Sequence, residues 1–383
     1  MQIQGGRVFG ADGIFREEAV YIAGDRLAFP DEHTDNTVLS AGGCYVVPGF
    51  IDIHIHGADG FDVCDGRPDS LAGMARFLAR HGVTSFLGAT MSVGEEALCQ
   101  AAGAVAAYRQ QPAAEGATLW GVNMEGPFFA EGKKGAQSAA YLRLPDETLF
   151  RRVYDCAGGA VRLLDIAPEL PGALPLIAAA SKICRVSLAH TTCSYDTAAA
   201  AFHAGASHVT HLFNAMPSFH HREPGLIGAA VDFAAFVELI GDGIHVHPAA
   251  VRSAFRLFSD DRLCLISDAM RACGLPDGAY MLGGQAVQVS EGRARLEDGS
   301  QAGSVTDLSE IVRRVVGFGV PLSAVLKAAT IHPARAAGID RETGSLEPGK
   351  RADILLLDEA LRLRMVMIGG RIIWQEADRV LSG

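Results

Sequence analysis

The sequence predicts an α/β protein, a (β/α)8 TIM-type barrel joined to a small β-sandwich domain built from both ends of the chain. Three observations carry this. Apolar runs of strand length recur through the middle of the chain with Ala-rich helical patterns between them. The two ends share a different texture, short β-type runs broken by glycine turns. Polar residues gather at the C-terminal ends of the apolar runs, the rim on which a barrel of this kind builds its site.

The first 47 residues carry the turn signals GG, DG and GD between short β-type runs such as AVYIAGDRLAF. From residue 344 the run GSLEPGKRADILLLDEALRLRMVMIGGRIIW repeats that texture, with a Pro-Gly and a Gly-Gly turn. Segments 1–47 and 344–383 are therefore expected to pair into one domain, leaving 48–343 for the barrel.

Within that middle, strands are expected at 50–56, 84–89, 118–125, 161–167, 184–190, 207–211, 235–242 and 263–268. Patterns such as SLAGMARFLARHG and SYDTAAAAFHAGA fill the intervals as helices. Repeated βα units imply a parallel sheet. Eight of them in about 220 residues fit a closed barrel; a doubly wound open sheet is the competing architecture.

The first of these strands poses the chemical question. In GFIDIHIHG, residues 49–57, Ile51, Ile53 and Ile55 alternate with Asp52, His54 and His56, so an acid and two imidazoles share one face. His54 and His56 close the first strand, Glu125 the third, His190 the fifth, His211 the sixth and Asp268 the eighth. Each alone has an ordinary structural reading: a hydrogen-bonded histidine, a turn cap at Glu125, an N-cap at Asp268 for a helix beginning near Ala269. Together, four imidazoles and two carboxylates on one rim are costly to desolvate without a shared cation. Such ligands suit a hydrolytic zinc or iron site. The polar face of the first strand is therefore expected to look into a metal cavity. Other histidines are placed elsewhere: His33 and His81 away from the rim, His203 on a helix, His208 at the far end of its strand, and His332 at a helix turn before Pro333.

With 383 residues, 49% hydrophobic and 20% charged, the chain has the composition of a packed globular protein. A net charge of −11 without a basic run argues against a nucleic-acid partner. No apolar stretch reaches the roughly 18 residues of a membrane span, and MQIQGGRVFG lacks the regions of a signal peptide. A cytoplasmic location without membrane partners is the expectation. Eight cysteines lacking CxxC spacing are expected to be reduced.

The segments PGFIDIHIHG, NMEGPFF, LAHTTCSYDTAAAAFHAGASHVTHLFNAMPSFHHREPGLIGAA, DGIHVHP, SDAM and AGS follow one another in this order. In this the chain resembles, over essentially its whole length, the N-acetylglucosamine-6-phosphate deacetylases of the amidohydrolase superfamily. HLFNAMPSFHHREPG is the long, specific block, whereas HIH alone indicates only the superfamily. The resemblance implies that Glu125, His190 and His211 bind the principal divalent metal, zinc or iron. His54 and His56 match the ligands of a second ion in the members that have one, so one or two ions per subunit are expected. Many superfamily relatives bridge two ions with a carboxylated lysine on the fourth strand; here VRLLDIAPE has none, and Glu125 would have to bridge. Asp268 matches the catalytic acid/base.

Asn214, Ala215 through its backbone N–H, and Arg222 resemble the phosphate-binding positions. Arg222 has a structural alternative in pairing with Glu223. His245 resembles a substrate contact, and Ala136 and Gly303 lie in segments that line the substrate pocket. Gln137 stands where the family usually has a histidine that touches the sugar; it can donate and accept hydrogen bonds but carries no charge. The implied reaction is hydrolysis of the N-acetyl group of N-acetylglucosamine 6-phosphate to glucosamine 6-phosphate and acetate, in amino-sugar catabolism and cell-wall recycling. Gln137 keeps N-acetylgalactosamine 6-phosphate, or another N-acyl amino sugar, as an alternative. A homodimer is also implied. Another amidohydrolase, such as a cyclic-amide hydrolase or a deaminase, and a non-catalytic amidohydrolase-like binding protein are the rivals. The HHREPG block counts against the first, and the complete set of matched positions against the second.

Overall fold

Eight parallel strands pair in strict chain order: Phe50–Ile55, Val83–Ala89, Thr118–Met124, Val161–Ile166, Arg185–Leu188, His208–Val209, Phe236–Ile240 and Leu263–Ile266. This is a computed structural model, and it describes residues 1–32 and 37–376. Helices cover the outside of the sheet and side chains fill its inside, so most strand positions are buried on both faces. That is why the strands read as nearly continuous apolar runs. The ring closes between the last and first strands, where the Asp268 N–H donates to the His54 carbonyl at 3.0 Å and the Ser267 N–H reaches Asp52 Oδ1 at 3.3 Å. An open sheet is thereby excluded. All eight expected strands are present, the sixth shortened to two residues.

The helices follow from local sequence. Pro68–Arg80 starts on a proline, whose missing N–H costs nothing in a first turn, with Asp69 at the positive end and Arg80 at the negative end. Leu71, Met74, Ala75, Leu78 and Ala79 form its buried stripe. Tyr195–His203 is capped by Ser194, whose side chain accepts from the Thr197 N–H at 3.2 Å.

The chain ends build two further sheets, the first from both ends and the second from the N-terminal end alone. Six strands run in the spatial order Arg371–Gln375, Leu363–Ile368, Ile354–Leu357, Tyr45–Pro48, Arg7–Phe9 and Phe15–Glu17. Four more run Arg26–Ala28, Val20–Ala23, Gln2–Gln4 and Val38–Ser40. Alternation along Ile354–Leu357 serves two cores. Ile354 and Leu356 pack with Ile3, Ile22, Leu27 and Val46, while Leu355 and Leu357 join the core around the barrel. The chain crosses into the barrel at Gly49, where any Cβ would lie 2.0 Å from Thr84 Oγ1.

The structural alternative for Asp268 is not realised. No helix starts at Ala269, so Asp268 caps none. The chain instead runs into an antiparallel sheet that the sequence reading did not anticipate: Gly278–Leu282, Gln285–Ser290 and Arg293–Arg295. Its first turn is Gly283-Gly284, both with positive φ, the pairing that a two-residue hairpin favours.

His81, His203, His208 and His332 all lie off the rim. His81 stacks on Phe77 and His203 meets Phe233 edge-on. His208 Nδ1 bonds Ser187 Oγ at 2.9 Å, and His332 Nδ1 donates to the Leu263 carbonyl at 2.8 Å from within the helix Ile331–Ala336. His33 lies outside the described residues. None of the eight cysteines forms a disulfide. No helix among the described residues is long and apolar enough to cross a membrane.

Candidate active site

His54, His56, Glu125, His190, His211 and Asp268 come together at the C-terminal mouth of the barrel. Glu125 is the centre. Its Oε1 lies 3.1 Å from His190 Nε2, 3.3 Å from His211 Nε2 and 3.7 Å from His54 Nε2, and its Oε2 lies 3.4 Å from His56 Nε2. Asp268 Oδ1 also approaches the histidine pair, 3.3 Å from His56 Nε2 and 3.6 Å from His54 Nε2.

The backbone turns sharply to achieve this. His190, His211 and Asp268 have φ of 46°, 30° and 46°, a left-handed conformation that costs a non-glycine residue on the order of 1–3 kcal/mol. It ends each strand and tips the side chain over the mouth. Hydrogen bonds hold the strained positions: the Ser304 N–H donates to the Asp268 carbonyl at 2.7 Å, and the His211 N–H reaches Glu238 Oε2 at 3.3 Å.

Three of the four imidazoles are oriented by an acceptor at Nδ1: Glu238 Oε2 for His54 (2.9 Å), the Ala89 carbonyl for His56 (3.2 Å) and the Lys133 carbonyl for His190 (2.8 Å). A donor at Nδ1 leaves Nε2 as the lone-pair nitrogen. Four Nε2 atoms thus face one carboxylate, with those of His190 and His211 only 3.1 Å apart. Among the described residues two groups satisfy the spacing of a cation site, His54–His56–Glu125 and Glu125–His190–His211. Lone pairs crowded this closely in a buried site fit a divalent metal, and the N/O donor set suits zinc or iron.

Charge distribution agrees. Burial opposes charge on His54, yet Glu238, Glu125 and Asp268 carry it well above its usual value; His56 is raised despite burial by Asp268 and Glu125. Burial likewise opposes ionisation of Glu125 and Asp268, yet the facing histidines hold both carboxyls below their usual range. Positive charge at the mouth is already the stabilised condition, whether carried by protons or by an ion.

One expectation about the first strand is corrected here. Asp52 does not look into the cavity. Its Oδ1 accepts from the His54 and Ser267 N–H groups deeper in the barrel, and burial pushes its carboxyl up to about 7. Alternation gave the right face but not the depth, and the acid serves the closing seam.

A cavity of about 350 Å³ opens above the histidines. His56, Glu125, His190, His211 and Asp268 line it together with Ala136, Gln137, Asn214, Ala215, His245 and Gly303. Gln137 is fully engaged with its neighbours: Oε1 accepts from the Ser92 N–H at 2.7 Å and Nε2 donates to Glu125 Oε2 at 2.6 Å. Asn214 spends its side-chain amide on the carbonyls of His211 and Leu212. It thereby holds the turn that brings Ala215, at φ 52°, to the wall. His245 Nδ1 is held by Asp242 Oδ2 at 2.7 Å, and its buried Nε2 has no hydrogen-bond partner among the described residues. Each of that pair stabilises the other's charge against burial, raising His245 and lowering Asp242.

Arg222 stands apart. It lies on an exposed loop, outside the cavity wall, where Nη1 meets His221 Nε2 at 2.8 Å rather than pairing with Glu223. The cationic side chain on the wall is Lys133, which sequence reasoning missed; its Nζ donates to the Met216 carbonyl at 3.2 Å. Asp165 and Glu238, fully buried inside the barrel, were missed too. The signal existed: each is a lone acid in an apolar strand, VRLLDI and FVELI.

The family model described as the amidohydrolase family matches residues 45–373. The chain belongs to the amidohydrolase family. This amidohydrolase is 38% identical over 328 residues to an N-acetylgalactosamine-6-phosphate deacetylase from Escherichia coli O157:H7, covering 85% of this chain and 86% of that protein. It is 37% identical over 361 residues to an N-acetylglucosamine-6-phosphate deacetylase from Bacillus subtilis, covering 92% and 90%. Among solved structures it matches a mutant N-acetyl-D-glucosamine-6-phosphate deacetylase from Mycobacterium smegmatis, in complex with N-acetyl-D-glucosamine-6-phosphate. That match has a TM-score of 0.90 and 33% identity over 97% of this chain and 99% of the other. The amidohydrolase is a metal-dependent hydrolase by family, and its clustered histidines and Glu125 supply the ligand groups that such chemistry requires.

Proposed function

We propose that this amidohydrolase removes the acetyl group of N-acetylglucosamine 6-phosphate, releasing acetate and glucosamine 6-phosphate. The observation that carries the reading is the meeting of four imidazole Nε2 atoms around Glu125 at the base of the cavity, with Asp268 beside them. Relatives at 37–38% identity that bear this deacetylase name or its galacto counterpart supply the substrate class.

Glu125, His190 and His211 would hold one divalent ion, zinc or iron, and His54 and His56, with Glu125 shared, a second. Such an ion supplies Lewis acidity toward the acetamide carbonyl and lowers the pKa of water from about 15.7 to near 7. Asp268, ionised because His56 and His54 offset its burial, accepts the proton of the attacking water and then delivers it to the departing amine nitrogen. One carboxylate serves both transfers because they occur in sequence.

The volume of about 350 Å³ lies in the range of small-molecule pockets, about 300–1,000 Å³. In a chain of net charge −11, phosphate must be met locally. The Ala215 N–H and Lys133 are the wall groups that would meet the sugar phosphate, and His245 would contact the substrate, with Asn214 shaping the turn. Arg222, on the exposed loop outside the cavity wall, is not among them, and Ala136 and Gly303 bound the sugar. Gln137 favours a second reading: with its amide committed to Glu125 and Ser92, the sugar contact usually made by a histidine changes, which keeps the galacto epimer in view. The enzyme is expected to work as a homodimer, an assignment that sedimentation equilibrium measures.

The test is acetate release from a panel of N-acetylhexosamine 6-phosphates by metal-loaded protein, beside a chelated sample. Release from the gluco compound, abolished by chelation and restored by metal, is the expected result. Activity confined to the galacto epimer supports the second reading, and activity on neither removes both.

A further inference from the structure

We propose that Glu238 is a positioning residue for the metal centre, acting through His54 to hold the ion bound by His54 and His56. No resemblance or comparison assigns it a role. It sits mid-strand in Phe236–Ile240, the seventh barrel strand, completely buried and separated from His54 by 184 residues of chain.

Its contacts are specific. One oxygen, Oε2, accepts from His54 Nδ1 at 2.9 Å and from the His211 N–H at 3.3 Å. A single atom on the seventh strand thereby ties the ring of one proposed ligand and the backbone of another, from the first and sixth strands. The Glu238 carbonyl also accepts from the Leu212 N–H at 2.8 Å, fixing the segment just past His211.

His54 differs from its neighbours in this. His56 and His190 are held at Nδ1 by backbone carbonyls, His54 by a carboxylate. His211 Nδ1 has no hydrogen-bond partner among the described residues. A carboxylate accepting from Nδ1–H fixes the tautomer that presents Nε2 to a metal and makes that nitrogen the stronger donor, an arrangement whose loss costs metal affinity about 10–100-fold. His54 Nε2 is itself buried without a hydrogen bond among the described residues and lies 3.7 Å from Glu125 Oε1 and 3.6 Å from Asp268 Oδ1, where a cation would be its partner. A fully buried carboxylate is expensive unless it is paired, and here the pairing runs through His54 to the ion.

The inference rests on reading the rim as a cation site, not on the identity of the sugar. Its test is therefore a metal titration, whose outcome is independent of whether any acetylated sugar is turned over. Metal-free wild type and Glu238→Gln are titrated with zinc against a competing chelator. A His54→Asn/His56→Asn double variant identifies the equivalent bound by that pair, and melting temperatures are recorded without metal.

In wild type two equivalents are expected. In Glu238→Gln the equivalent assigned to His54 and His56 weakens about 10–100-fold, the other stays within threefold, and the metal-free melting temperature does not fall. Wild-type affinity for both equivalents in the variant overturns the proposal. So does equal weakening of both, which makes Glu238 a structural part of the barrel, or a wild type that binds one ion. Should Glu238→Gln fail to fold, nitrogen-15 histidine spectra of zinc-loaded wild type decide. A protected Nδ1–H resonance, absent from His54→Asn, supports the relay, and a His54 ring protonated at Nε2 overturns it.

Discussion

Asp268→Asn isolates the proton-transfer role from everything else this residue does. The substitution keeps shape and volume, and asparagine tolerates the left-handed backbone that Asp268 adopts at φ 46°. The main-chain bonds that fix the position, from the Asp268 N–H to the His54 carbonyl and from the Ser304 N–H to the Asp268 carbonyl, involve no side-chain atom and persist. What disappears is the basic oxygen 3.3 Å from His56 Nε2. A positioned acid/base contributes about 10²–10⁴-fold, so the barrier should rise by about 2.7–5.4 kcal/mol at roughly 1.36 kcal/mol per tenfold. Steady-state acetate release from N-acetylglucosamine 6-phosphate measures kcat, while metal analysis of the same sample shows whether the Glu125–His190–His211 ion is retained. A kcat within threefold of wild type, with metal in place, refutes Asp268 as the proton carrier. A loss of metal that parallels the loss of rate would make it a ligand first.

Three more outcomes follow from the geometry. Lys133→Met is expected to raise KM for the phosphorylated sugar about tenfold or more, the value of a charged hydrogen bond, while sparing the unphosphorylated sugar; equal effects on both sugars would make Lys133 structural. Gln137→Ala removes the donor that lies 2.6 Å from Glu125 Oε2 and is expected to lower zinc affinity about tenfold or more by the loss of an outer hydrogen bond to a ligand, read by chelator competition; unchanged affinity would leave Gln137 only a pocket wall. Burial holds His208 down to about 4 against an ordinary 6.5, so across that window the unfolded chain takes up a proton that the folded chain refuses, and stability rises with pH by on the order of 3 kcal/mol. In metal-free protein, urea midpoints at about pH 4.5 and about pH 7 should differ less in His208→Gln than in wild type, and an identical difference would place the titration elsewhere.

Apolar patterning alone specified the eight strands and which residues stand at their C-terminal ends. Both are local facts: a strand buried on two faces must be apolar along its length, so His54, His56, Glu125, His190, His211 and Asp268 stood out at the ends of apolar runs, and order along the chain became order around the barrel. Depth and direction were decided only in three dimensions. Asp52 shares a face with the two histidines yet closes the barrel seam, because strand periodicity specifies a side and not a level. Arg222, in the most specific block of sequence, lies outside the cavity, while Lys133 and the paired ends of Gln137 line it, because loop paths follow packing rather than spacing. Glu238 and His54, 184 residues apart, meet at 2.9 Å only because the sheet closes on itself, and a contact made by closure leaves no trace in the neighbourhood of either residue.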